Sequence, residues 1–208
     1  MPKSIPTLSA ALLFAAASLA AQVPRTQFVV TQGKDTVAVE VFTRDGRSMT
    51  SEIVQSNGVR TQFTVELRTD STIQSIEYQR QNRQGQGLSL DGRFADSLVS
   101  GTVTSGSDSE RLSIERPGKA TPFLAVSFAL SERLIRAVHL GVGDSTKVLA
   151  VRLGALDTAT VTVSRFHADS VRLAMRDLEL KVALSPKGDV VGAVHTAQNW
   201  VVERKTIR

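Results

Sequence analysis

Residues 121–138 read TPFLAVSFALSERLIRAV, the stretch of this 208-residue chain whose apolar positions recur at helical rather than strand spacing. At 100° per residue, Phe123, Leu124, Val126, Phe128, Leu130, Leu134, Ile135 and Val138 cover roughly half the circumference, while Glu132, Arg133 and Arg136 mark the opposite side. Thr121 suits an N-cap, Pro122 the first helical position, and Gly141 stands a few residues past the stripe, so the pattern predicts a helix over about 121–139. An apolar arc that wide needs more than one flat neighbour. It fits a helix seated in a concave surface.

The rest of the chain supplies such a surface. Val37, Val39 and Val41 alternate with Ala38 and Glu40, and Phe63, Val65 and Leu67 with Thr64 and Glu66. The same period of two returns at Leu112 and Ile114, at Val161 and Val163, through Val171, Leu173 and Met175, and from Leu178 to Leu184. One apolar face and one polar face describe an antiparallel sheet that covers a core on one side and meets water on the other. RDGR at 44–47, SNG at 56–58 and SPKGD at 185–189 are tight-turn signals between such runs. The reading is mainly β: a curled antiparallel meander, half-barrel or spiral, of about thirteen strands with one amphipathic helix on its concave face. A sheet that wide must twist and curl.

The first residues, MPKSIPTLSAALLFAAASLAAQ, have the single lysine, short apolar run and small residues of a secretory signal peptide. Cleavage is expected after Ala20, with Ala21 the alternative, leaving a single β-rich domain over 21–208 in the periplasm or outside the cell. The apolar run falls short of the roughly 20 residues that cross a bilayer, and no later segment reaches that length. The chain has no cysteine, which removes disulfides, thiolate metal sites and thiol nucleophiles together. Its 25 Lys and Arg against 20 Asp and Glu make it basic. Those cations are scattered along alternating strands and not gathered in a stripe with aromatics, so no nucleic-acid partner is expected.

The sequence carries few of the patterns that mark catalysis. There is no Gly-x-Ser-x-Gly elbow, phosphate loop, His-Glu-x-x-His or dinucleotide Gly-x-Gly-x-x-Gly. His139, His167 and His195 are equally spaced, and three imidazoles can hold zinc. Equal spacing has no geometric meaning in a meander of unequal connections, so a histidine-dependent metal hydrolase is the remote alternative. Asp177 and Glu179 in RDLELKV share a side with Lys181, the pattern of a solvated face. No catalytic residue, metal or cofactor is expected. Aromatics are sparse, at eight Phe, one Tyr and one Trp. Phe123, Leu124, Phe128, Leu134 and Ile135 on the helix, with Tyr78 and Trp200 on strands, are the candidates for lining an apolar ligand cavity.

The order of parts carries a resemblance. A leader, a run of hairpins, a helix segment TPFLAVSFALSERL, then GVGDSTKVLAV, further hairpins and a closing KGDVVGAVHTAQNWVVER resemble bacterial periplasmic β-spiral envelope proteins. More distantly, the arrangement is similar to the lipoprotein-localisation carriers, whose half-barrel is lined by apolar residues and lidded by a helix. The resemblance covers nearly the whole mature chain through element order. It implies a non-enzymatic envelope protein that binds a lipid, a lipidated chain or another apolar group between sheet and helix. The alternative is a structural or assembly scaffold that binds a protein or polymer partner of the envelope by its surface.

Overall fold

The alternating runs form strands, fifteen of them among the described residues, in one sheet. The computed structural model describes residues 24–115, 120–176 and 178–207; the expected leader with both cleavage points, and Asp177, lie outside the described residues. In chain order the first strands are β1 (Arg25–Gln32), β2 (Asp35–Asp45), β3 (Ser48–Gln55), β4 (Arg60–Leu67), β5 (Ile73–Gln81), β6 (Gly87–Phe94), β7 (Leu98–Ser105) and β8 (Asp108–Glu115). Next come β9 (Ala120–Phe123), the helix α1 (Phe128–Val138), β10 (Ser145–Arg152), β11 (Asp157–His167), β12 (Ser170–Met175), β13 (Leu178–Leu184), β14 (Val190–His195) and β15 (Trp200–Ile207). Their order across the sheet runs from β8 back to β1, then β15 back to β9. The first and last strands are therefore neighbours, paired from Arg25↔Ile207 to Gln32↔Trp200.

Two lengths decide the curvature. Fourteen strand spacings in a flat sheet would hold the β8 and β9 edges roughly 67 Å apart. The chain passes from Glu115 on one edge strand to Ala120 on the other in five Cα steps, which reach at most ~18 Å. The sheet has to bend round until its edges approach. Among the described residues β9 and β10 are the only parallel pair, and a parallel pair needs a crossover. Here the crossover is α1, which lies on the inner face among Phe28, Phe42, Phe123 and the other core residues.

The inner location of α1 changes the reading of its polar side. Phe128 through Ile135 are all buried, including Glu132 and Arg133, so the charges expected on a solvent side are enclosed. The helix also starts later than its stripe. Thr121 and Pro122 lie in β9, and the N-cap is Ser127, whose Oγ accepts from Leu130 N–H at 3.2 Å. Proline favours extended backbone in the residue before it and is tolerated on an edge strand, which suits β9. A second difference concerns phase. On β2 the inward residues are Ala38, Glu40 and Phe42, all at most 4 % exposed, while Val37, Val39 and Val41 lie on the outer side.

RDGR, SNG and SPKGD all turn as read, with Gly46, Gly58 and Gly188 at positive φ. Gly101 is required for a different reason. It pairs with Gly92 across β6 and β7, and a Cβ on it would lie 2.2 Å from the Asp91 carbonyl oxygen and 2.9 Å from the Gly92 Cα. Neither backbone atom can swing aside. Gly101→Ala is expected to lower the unfolding free energy by about 1–3 kcal/mol in urea titration, as overpacking does.

Candidate functional site

The helix is keyed into the sheet by two buried acids acting in opposite senses. Glu40, presented inward from β2, belongs to the sheet and grips the helix. Its Oε1 accepts from Ser51 Oγ at 2.8 Å and Ser127 Oγ at 2.7 Å; its Oε2 accepts from the backbone N–H of Phe128 at 2.6 Å and of Ala129 at 3.2 Å. Free N–H groups and the positive end of the helix dipole make the start of α1 a natural carboxylate receptor. Burial pushes the Glu40 carboxyl up from its ordinary value of 4.5, and the four hydrogen bonds draw it part of the way back.

Glu132 belongs to the helix and is gripped by the sheet. Arg44 of β2 reaches its Oε1 at 3.0 Å, Arg204 of β15 its Oε2 at 3.1 Å, Arg136 its Oε1 at 3.6 Å, and Val190 N–H donates to Oε2 at 2.9 Å. Asp189 joins this group through Arg136 at 2.5 Å. Arg204 also lies 5.8 Å from the Phe28 ring centre and 5.9 Å from that of Phe42, within cation–π reach. The Phe28 ring stacks on Phe42 and tilts against Phe128, each at 5.6 Å.

Beside the helix lies a cavity of about 510 Å³. Leu134, Ala137 and Val138 of α1 line one wall; Ala120 and Thr121 of β9, Lys147, Val148 and Leu149 of β10 and Thr160 of β11 line another; Ile73, Ala95 and the Arg68–Thr72 turn close it. Its walls thus come from both ends of the strand order. Arg133 also lines it, 7 % exposed, and makes no hydrogen bond or ion pair among the described residues. Burial, with the neighbouring Arg44 and Arg136, lowers its guanidinium to about 10, so it stays cationic at neutral pH. A larger, more open depression of about 680 Å³ lies on the outer face and is lined by polar residues such as Glu52, Glu77 and Asp91. A less open form and a more apolar lining mark this cavity as the ligand-like one.

Of the seven residues read as ligand-lining, Leu134 lines this cavity. Phe123, Phe128 and Ile135 are buried in the core, and Leu124 packs against that core partly exposed. Tyr78 is buried under the outer depression, and Trp200 packs edge-on against His195 at 5.5 Å. The structure therefore gathers Phe128, Leu134 and Ile135 of α1 with Phe123 of β9 and Leu124 of the connection around one interior and sets Tyr78 and Trp200 apart from the cavity. Among the described residues no group of three or more His, Asp or Glu is arranged to hold a metal ion. Glu179 pairs with Arg172 at 2.6 Å on the surface.

Strand alternation puts Glu40, and helical spacing puts Glu132 and Arg133, on the wrong side. Two signals point to them. Glu40 is in phase with Phe42 on its strand, and a helix apolar round half its circumference in a concave sheet must enclose its charges as well.

This architecture, a curled antiparallel sheet with a helix held inside, defines a barrel-like β protein. Two solved structures share the fold. A DUF1089 family protein from Pseudomonas aeruginosa matches with a TM-score of 0.56 at 14% identity, over 76% of this chain and 89% of that one. A beta-barrel-like protein of domain of unknown function DUF1849 from Brucella abortus matches with a TM-score of 0.56 at 11% identity, over 89% of this chain and 96% of that one. No protein-family model and no curated protein matches the chain. The likeness is to barrel-like proteins of unknown function, and it does not extend to the β-spiral family expected from element order. No helix among the described residues is long and apolar enough to cross a membrane.

Proposed function

We propose that this chain is a non-enzymatic binding protein of the cell envelope that holds a lipid or another apolar group beside α1. The observation that carries the reading is the 510 Å³ cavity, where Leu134, Ala137 and Val138 face Ile73, Val148 and Leu149. That volume lies within the roughly 300–1,000 Å³ of small-molecule pockets. The leader supports export, which puts the protein where lipids and lipidated chains must cross an aqueous space.

Native mass spectrometry of the protein isolated from its own envelope tests this. Wild type is expected to carry an apolar adduct or to take up dodecanol when stripped. Ala137→Trp fills the cavity from an exposed helix position and is expected to lose at least about 90% of that uptake while unfolding at the wild-type urea concentration. A wild type that is clean as isolated and takes up no dodecanol overturns the reading and moves attention to the outer surface.

A further inference from the structure

Resting on that reading, we propose that the occupant is a single-tailed amphiphile with an anionic head, a carboxylate or a phosphate monoester, and that Arg133 receives the head. Among the described residues the cavity has three cationic side chains in its lining, Arg68, Arg133 and Lys147, and no Asp or Glu. Arg68 is already committed. It donates to the Ile73 carbonyl at 2.9 Å, to Thr72 Oγ1 at 3.2 Å and to the Phe94 carbonyl, tying two turns together. Arg133 has no such employment. Its Nε is fully buried without a partner.

Glu132, the acid nearest in sequence, attracts it without an ion-pair contact. Both oxygens of Glu132 are taken by Arg44, Arg136, Arg204 and the Val190 N–H. A largely buried guanidinium with no ion-pair partner among the described residues is unfavourable unless something supplies a negative charge. The cavity it lines gives such a charge a way in. A guanidinium fork meets carboxylate or phosphate oxygens with two parallel hydrogen bonds, and the apolar walls from Leu134 to Val148 take the tail. Lys147 adds a second positive charge to the same lining.

Calorimetric titration of the full mature protein with dodecanoate, dodecyl phosphate and dodecanol separates head from tail. In wild type the two anions are expected to bind roughly 10- to 100-fold more tightly than the alcohol. Arg133→Met should reduce the anions to the alcohol's affinity and leave the alcohol unchanged. Dodecyl phosphate ahead of dodecanoate identifies a phosphorylated lipid as the source, and the reverse order a fatty acid; both support the assignment. Equal binding of anion and alcohol by wild type overturns the head-group assignment while leaving the apolar cavity standing. Failure of all three to bind overturns both readings. Inorganic phosphate that protects wild type against urea as well as dodecyl phosphate does overturns the amphiphile in favour of a free anion. A second readout needs no ligand: the urea midpoint of unliganded Arg133→Met should equal or exceed that of wild type, and a fall would assign Arg133 to holding the fold and overturn the proposal.

Discussion

Glu40→Ala is expected to cost about 3–5 kcal/mol of unfolding free energy, measured from urea midpoints at constant slope. The substitution removes one carboxylate and strands four donors, the hydroxyls of Ser51 and Ser127 and the N–H groups of Phe128 and Ala129. The hydroxyls can turn to other partners. The two N–H groups cannot, because they are fixed at the start of α1 and buried. Glu40→Gln should be much milder, because its carbonyl oxygen can face the two N–H groups and its amide the two rotatable hydroxyls. The pair of variants also isolates the titration. Burial raises the folded-state pKa of Glu40 above 4.5, so the folded protein binds the proton more tightly than the unfolded chain. This group's contribution is therefore greatest below the ordinary carboxylate value and declines as pH rises towards the folded value. Glu40→Gln should lack that decline. A wild-type advantage over Glu40→Gln that grows with pH would reverse the sign and show that the hydrogen bonds outweigh burial.

Glu132→Met is the second large effect, about 3–5 kcal/mol by the same urea measurement. It leaves Arg44, Arg136 and Arg204 facing one another, with Asp189 as the acid still in the group. Removing one partner of a buried ionic cluster is worse than removing the cluster. Adding Arg44→Met and Arg204→Met to Glu132→Met is therefore expected to recover about half of the loss or more. A triple variant no more stable than the single one would mean that the arginine stems, packed over Phe28 and Phe42, matter more than the charges.

These two residues also mark the limit of legibility in the sequence. Alternation located the strands, the Gly turns separated them, and the wide apolar arc placed α1 in a concave sheet. Alternation has two possible phases, however, and on β2 three valines make the outer phase look like the core. The local hint for the other phase is Phe42 alone, and the contact that makes an inward Glu40 tolerable, with the start of α1, joins residues far apart in the chain. The same holds for Arg133. Next to Glu132 and Arg136 it reads as an ordinary solvated cation, and only the burial of Phe128–Ile135 within the curled sheet gives it a different meaning. The N-terminal part of the stripe was read as helix because apolar spacing cannot tell an edge strand from a first turn. Pro122 fits both, and pairing of Ala120–Phe123 with β10 decides between them.

The adjacency of β1 and β15 bears on how the molecule comes into being. Nearly all other pairings join strands consecutive in the chain and can form locally. The two half-sheets, β1–β8 and β9–β15, meet at the β1–β15 ladder, where Glu40 of the first half holds the helix of the second, and where Arg44 of the first and Arg204 of the second clasp one carboxylate. A first half alone holds a carboxylate waiting for its helix. A second half alone has a helix acid lacking one of its cations. Unfolding is accordingly expected to be a single cooperative transition, and the earliest strands are not committed to their final curvature until the last strand has been made.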